Sequence, residues 1–390
     1  MSGQKIAMLG PSRPYKGGIV HFNDRLVIEL QQSSDNTVHL YGWKRLYPAF
    51  LTGKKDSDFH DKNLTGNILG KSCDQILDYY NPLTWWKLFR RIAKARDDVF
   101  ITHWVHPVHF PVFLFLFTLL RISTRTQIVL ICHNVEPHES MPGSRLLSRW
   151  IFLFCHRVVV HSVSEQGNAS KLTSQFKIRT AFIPLYDFFP KRTYDSGALR
   201  STLSLQKKVV LFFGLIRPYK GLEHLIEAFV EVKEQIRDIS LLIVGESFVA
   251  TSVSNTYEPL SRIQELGLGD TVAVVNRYVA DEDIFQYFDI ADMLVAPYTS
   301  ASQSAPVQLA YAFDTPVIAT RVGGLAEVVE EGVSGYLAEP GDCGDLARQI
   351  VRFYREGKVT ATSVHTYKSR FSWGRYVDLI MDQRIASGTI

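Results

Sequence analysis

ADMLVAPYTSASQSAPVQLAYAFDTPVIATRVGGLAEVVEEGVSGYLAEPGD, residues 291–342, is the stretch from which the fold is read. Two β-rich runs, 293–296 and 316–320, enclose a polar Ser/Gln loop and a helical segment over 307–313. A second polar turn at Gly323-Gly324 opens another helix near Leu325. A strand that ends in small residues and feeds a helix exposes backbone N–H groups beside the positive end of the helix dipole, which suits a phosphate. An ordinary strand–helix–strand unit with plain turns has the same pattern, so the rest of the chain must decide between them.

Working back from this stretch, the pattern repeats. Residues 208–213 read as a strand, 214–221 as a turn, 222–237 as a helix, and 240–244 as a strand that ends at Gly245. A helix over 257–266, a strand over 271–275 and a helix over 282–290 complete the second half. The first half starts the same way, with a buried strand at 5–9, a turn carrying Gly17-Gly18 and a helix over 19–31. A glycine pair at such a turn lets backbone approach a ligand closely, but it is not the GxGxxG dinucleotide fingerprint. Strands follow at 38–42, 97–102, 127–132, 157–161 and 180–183. In open parallel sheets, ligands sit beyond the carboxyl ends of the strands. His103, His133 and Ser162 fall at three such ends, which makes His103 and Ser162 acceptor-side candidates. The alternation implies an α/β chain with two Rossmann-like, doubly wound parallel-sheet domains facing across a cleft. The polar linker 184–204 divides it into residues 1–195 and 196–365. Residues 366–390 hold a helix, expected over 367–383, that crosses back to the first domain.

The composition is 46% hydrophobic and 21% charged, which is ordinary for a globular protein and excludes disorder. The net charge of +4 is unevenly spread. Through Asp195 there are 25 Lys+Arg against 15 Asp+Glu, and the remainder has 18 against 24. A basic half attracts phosphorylated substrates, anionic lipid or nucleic acid, and no nucleic-acid motif accompanies it. Tyr79, Tyr80, Trp85, Trp86, Lys87, Arg90, Arg91 and Lys94 interleave aromatic and basic residues, taken as one helical segment over 76–96 of the kind that lies at a membrane interface. The apolar run 110–120 is too short to span a bilayer, which takes about 20 residues. Residues 5–9 are too short and too strand-like for a secretory signal, and the four cysteines read as reduced thiols of a cytoplasmic protein. Asp56 and Asp58 match a short DxD pattern but read as solvated loop residues, so no metal site is assigned.

The turn from Gly214 to Gly221 places Arg217 and Lys220 just before a helix, a pair of cations that fits a diphosphate. Gly17-Gly18, GLIRPYKGLEHLIEAF (214–229), ADMLVAPY (291–298) and TPVIATRVGGLAEVVEEGVSGYLAEPGD (315–342) together resemble the family-four retaining glycosyltransferases, most closely from Lys208 to Asp342. The resemblance implies a GT-B architecture and metal-independent catalysis with no cofactor. It also implies a nucleotide-diphosphate-sugar donor held by the second domain and an acceptor held by the first. By position, His133 matches the histidine near the reacting sugar, Lys220 the lysine on the diphosphate, and Gly17-Gly18 the loop that approaches the donor. The arginine that normally follows the strand-end glycine is Leu215 here, so Arg217 stands in. The family's paired glutamates fall at Ala301 and Leu309, and both carboxylates are missing. Gln303, Ser304 and Gln308, with Ala305 and Val307 in the same turn and Gly245 at the neighbouring strand end, then form the donor-binding set.

The function implied is hexosyl transfer from a nucleotide-diphosphate-sugar to an acceptor hydroxyl, with retention. Arg217, Lys220 and loop N–H groups would stabilise leaving-group charge. The basic, aromatic first half points to a glycan or lipid-linked acceptor, such as a polysaccharide or lipopolysaccharide precursor, met by peripheral contact with the inner face of a membrane. Two readings compete: a non-catalytic GT-B scaffold subunit and a nucleotide-sugar epimerase.

Overall fold

A computed structural model describes residues 3–15, 17–32, 35–46, 67–68, 71–135, 143–247 and 258–381. The Asp56 and Asp58 pair, the polar run after Val135 and the start of the helix expected over 257–266 lie outside them. The chain forms two compact units, one of Met1–Phe182 with Trp373–Ile390 and one of Ile183–Ser372.

The first unit is a seven-stranded parallel sheet. Its strands are β1 (Lys5–Leu9), β2 (Thr37–Arg45), β3 (Asp74–Asp78), β4 (Val99–Trp104), β5 (Gln127–Cys132), β6 (Arg157–Val160) and β7 (Ile178–Thr180). Their order is β3-β2-β1-β4-β5-β6-β7. The central strands are apolar on both faces because helices cover both sides, as a doubly wound sheet requires. Helix α1 (Gly18–Gln32) follows β1, α2 (Pro82–Ala95) follows β3, and α3 (Phe110–Ser123) follows β4. Helix α4 (Ser144–Phe154) follows β5 and packs beside α3, which packs beside α2. Phe113, Phe117 and Leu116 of α3 are buried, so the apolar run is a core helix. No helix among the described residues is long and apolar enough to cross a membrane.

Two expected elements are redrawn. Residues 76–78, expected at the head of the aromatic-basic helix, belong to β3, because Asn81 caps and Pro82 starts α2 only after the strand has ended. The strand expected over 180–183 is β7, which pairs through Ile178, Arg179 and Thr180. From Ile183 the chain belongs to the second unit, where Leu185 N donates to Phe371 O at 3.1 Å and the Tyr194 hydroxyl reaches Asp289 at 2.6 Å.

The second unit is a six-stranded parallel sheet of β8 (Lys208–Phe213), β9 (Ile239–Val244), β10 (Val272–Val275), β11 (Met293–Ala296), β12 (Val317–Thr320) and β13 (Gly335–Ala338). Its order, β10-β9-β8-β11-β12-β13, is again doubly wound. Helix α5 (Leu222–Gln235) packs against α6 (Cys343–Glu356), and α7 (Ala305–Ala312) joins β11 to β12. The helix expected over 367–383 is interrupted: a short helix ends at Tyr367, a 3-10 turn runs to Phe371, and α8 (Trp373–Met381) restarts beyond Ser372. Helix α8 belongs to the first unit. Trp373 and Tyr376 pack on Phe22 of α1, with ring centroids 5.3 and 5.5 Å away, and the buried Arg157 guanidinium donates to Ile380 O at 2.9 Å.

Candidate functional site

The carboxyl ends of the first unit's strands gather three histidines around one ring. Phe22 lies 5.9 Å from His103, 5.6 Å from His133 and 5.9 Å from His161, centroid to centroid. His103 and His161 are buried, whereas His133 is half-buried and reachable. His103 Nε2 lies 3.0 Å from Asn23 Oδ1, and His103 Nδ1 lies 3.0 Å from His133 Nε2. With the amide oxygen as acceptor, His103 donates from Nε2 and its neutral Nδ1 must accept. His133 therefore donates from Nε2 and keeps an unprotonated Nδ1. A missing side chain makes room for this relay, since a Cβ on Gly10 would lie 2.1 Å from Asn23 Oδ1. Burial pushes the His133 pKa down to about 4, and burial together with His133 and His161 holds His103 well below the usual histidine range. The group presented at neutral pH is thus a neutral imidazole, suited to accepting a hydrogen bond from a hydroxyl and unsuited to binding a phosphate by charge.

Beside the histidines, a cavity of about 180 Å³ opens between the ends of β1 and β4, with Gly17, Gly18, Trp43, His103 and His109 among its lining residues. Gly17 sits at φ +118, where only glycine is comfortable. His109 donates from Nε2 to Leu46 O at 2.8 Å, which orients it in the wall. Ser162 has a structural job as well. Its hydroxyl accepts from Glu165 N at 3.1 Å as the N-cap of the following helix, and it is buried. His161, one residue earlier, is the first residue past β6, as His133 is the first past β5. The strand-end rule finds it once β6 is seen to stop at Val160.

In the second unit the cations sit on a floor made by two glycines. Gly214 ends β8 and Gly245 ends β9, at φ +110 and +151. A Cβ on Gly245 would lie 2.1 Å from Gly214 O, and one on Gly214 would lie 2.8 Å from Lys220 Nζ. Gly245 thus lets the two strand ends pack closely. Gly221, at φ +62, starts α5, and a Cβ there would strike Pro297 O at 2.1 Å. Lys220 is buried with its ammonium 5.5 Å from the Tyr298 ring centroid, and no carboxylate pairs with it among the described residues. Burial, followed by repulsion from Arg217, lowers its pKa to about 8. A buried ammonium held beside a second cation and a helix N-terminus is an arrangement that suits an anion.

The loop that opens α7 is built differently. Ser304 caps the helix, its hydroxyl accepting from Val307 N at 3.4 Å and lying 3.2 Å from the Tyr298 hydroxyl. Pro306 has no N–H and Val307 N is already bonded, so Ala305 is left as a poor phosphate cradle by itself. Gln303 Nε2 donates to Gly324 O at 3.4 Å, and a Cβ on Gly324 would strike that amide at 2.1 Å. Gln308 is fully buried, and neither of its amide atoms meets a partner among the described residues. An unmet buried amide costs about 1–3 kcal/mol. Gln308→Leu is therefore expected to stabilise the protein by about that amount, which urea unfolding measures.

Two Rossmann-like units, with polar residues collected at the carboxyl ends of their strands, place the chain in the GT-B fold class. Residues 200–367 match the family model described as Glycosyl transferases group 1. Mannosylfructose-phosphate synthase of Agrobacterium fabrum (strain C58) is 28% identical over 199 residues, which are 49% of this chain and 44% of that protein. The chain spans a little under half the length of the curated relatives it matches. The solved structure of Anabaena Alr3699/HepE in complex with UDP has a TM-score of 0.68 at 20% identity, covering 96% of this chain and 98% of that one. The apo lipopolysaccharide outer core galactosyltransferase WaaB has a TM-score of 0.68 at 14% identity, covering 96% and 99%. At these identities the likeness to solved structures is one of fold.

Proposed function

We propose that this chain transfers a hexose from a nucleoside-diphosphate-sugar to an acceptor hydroxyl, with retention and without a metal. The observation that carries the proposal is the pair Arg217 and Lys220, two cations at the start of α5, with Lys220 buried and paired to no carboxylate among the described residues. Such a pair stabilises charge that builds on a departing diphosphate. His133 contributes a neutral acceptor nitrogen for a sugar hydroxyl, and Gly17-Gly18 the close backbone approach to the donor. Leu309, in one of the slots where the resemblance expects glutamate, packs in the core. Hydroxyl recognition then falls to the amides of Gln308 and Gln303, which donate as well as accept.

The acceptor we favour is lipid-linked and lies at an anionic membrane face. Leu146, Trp150 and Leu153 form an exposed i, i+4, i+7 stripe on α4 beside exposed Arg145 and Arg149. Leu83 and Trp86 do the same on α2 beside Lys87 and Arg90. Apolar stripes flanked by cations suit the headgroup boundary of an anionic bilayer. WaaB, named for the lipopolysaccharide outer core, has the same fold and supports the idea of a surface-glycan acceptor.

The test measures nucleotide release from UDP-, GDP- and ADP-sugars, with phosphatidylglycerol or phosphatidylcholine vesicles carrying extracted lipid acceptor. One donor should be consumed faster with acceptor, the anionic vesicles should sediment the protein until salt releases it, and Arg217→Ala/Lys220→Ala should abolish turnover. Wild-type turnover in that double variant would overturn the proposal. Donor binding without turnover would favour the scaffold reading, and a changed sugar with no transfer would favour the epimerase.

A further inference from the structure

One cluster of ligating side chains stands apart from both strand-end sites. His224 and Glu227 lie one turn apart on α5, and Cys343 is the first residue of α6, which packs against α5. Cys343 Sγ lies 3.8 Å from His224 Nδ1 and 3.5 Å from Glu227 Oε2, and all three ligand atoms fall within 4.8 Å of one another. Zinc bonds of about 2.0–2.3 Å in a tetrahedron put neighbouring ligand atoms roughly 3.3–3.8 Å apart, so the two spacings from Cys343 Sγ match its edges. The outward oxygen of Glu227 is already occupied, and the outward nitrogen of His224 has a carboxylate nearby. Glu227 Oε1 accepts from Arg262 Nη2 at 3.1 Å, and His224 Nε2 lies 4.0 Å from the Glu223 carboxylate. A histidine that faces a metal with one nitrogen and a carboxylate with the other is the usual outer-shell arrangement.

We propose that His224, Glu227 and Cys343 bind a zinc-class divalent cation. A thiolate, an imidazole and a carboxylate select zinc over magnesium or calcium. The three residues are half-buried, which leaves the fourth position to water. Binding displaces the thiol proton to solvent and forms bonds to Sγ, Nδ1 and Oε2. The metal pins the start of α6 to the first turns of α5, the helix that begins directly after Lys220. It is a clamp on the platform of the cation pair, with no part in bond making, and it does not depend on the transfer reaction.

Cobalt(II) titration of tag-free, full-length protein tests this directly. One equivalent is expected to give a thiolate-to-cobalt charge-transfer band and intense tetrahedral visible absorption, both displaced by zinc. The band should vanish in Cys343→Ser and persist in Cys73→Ser, and Glu223→Gln should weaken zinc binding by roughly 10–100-fold. Matching thermal melts of the metal-free proteins establish that Cys343→Ser is folded. Absence of the charge-transfer band in the wild-type protein, or its survival in Cys343→Ser, overturns the proposal.

Discussion

Lys220→Met is expected to make the protein more stable and to weaken its binding of the proposed nucleotide-sugar donor. The lysine pKa drops from 10.5 to about 8 in the folded chain, so folding disfavours the ammonium. Lowering a pKa by one costs the charged form about 1.4 kcal/mol, so the penalty here is about 3 kcal/mol. The sign follows from proton counts. Below pH 8 folded and unfolded chains both carry the charge, and the penalty is fully present. Between pH 8 and the ordinary lysine value the unfolded chain holds more protons, so wild-type stability rises with pH. Methionine keeps most of the apolar stem and removes the charge, at the loss of about 0.5–1 kcal/mol of attraction to the Tyr298 ring. The unit holding Lys220 should melt roughly 4–10 °C higher at pH 7. Affinity for the proposed donor should fall roughly 10–150-fold, since a charge-assisted hydrogen bond contributes about 1.5–3 kcal/mol. Wild-type affinity should itself decline as pH rises through about 8. Calorimetry across pH 6–10 checks all of this, and a variant that is destabilised or still binds donor normally would contradict it.

Asn23→Asp is expected to invert the hydrogen bonding at His133 with almost no change of shape. A carboxylate 3.0 Å from His103 Nε2 favours the imidazolium and raises its pKa. A protonated His103 donates from both nitrogens. It then drives the proton of His133 from Nε2 to Nδ1, where the wild-type chain keeps a lone pair. A hydroxyl that donates to Nδ1 meets another donor, a mismatch of about 1–3 kcal/mol, or roughly 5–150-fold in kcat/KM. Nitrogen-15 NMR reads the tautomer directly. Wild-type activity should be flat from neutral pH to about pH 5, because the His133 pKa is near 4. An unchanged His133 tautomer in the variant would refute the relay.

The doubly wound architecture was legible because its signal is repetitive. Buried parallel strands are short apolar runs, and each is followed by a turn and a helical period, so misplacing one edge leaves the pattern intact. Lys208–Phe213 and Met293–Ala296 could be placed to the residue. The misread edges lay where local pattern yields to pairing, as at Ile76–Asp78, whose alternation fits a strand only once β2 lies alongside. Arg217 and Lys220 could be found because charge just before a helix is visible in one line of text. The Asn23–His103–His133 relay could not, since its members lie 80 and 30 residues apart and meet only through the strand order. The cap at Ser162 is readable from sequence, since a serine at a strand end commonly starts the next helix. Gln308 was named as a stand-in for a carboxylate, but its burial without a partner needed coordinates.

The first unit is built from two pieces of chain, and this sets an order on its assembly. Phe22 and the Arg157 guanidinium are made well before Trp373–Met381, yet both are covered by it. At ordinary elongation rates of about 5–20 residues per second, the covering helix emerges roughly 10–40 seconds after Phe182. For that interval the nascent first unit has an uncapped aromatic face and a charged group without its final acceptor. The Ile183–Ser372 unit, contiguous in sequence, can meanwhile close without waiting. The later piece therefore completes the earlier one, and the histidine cluster takes its final packing only when Tyr376 arrives.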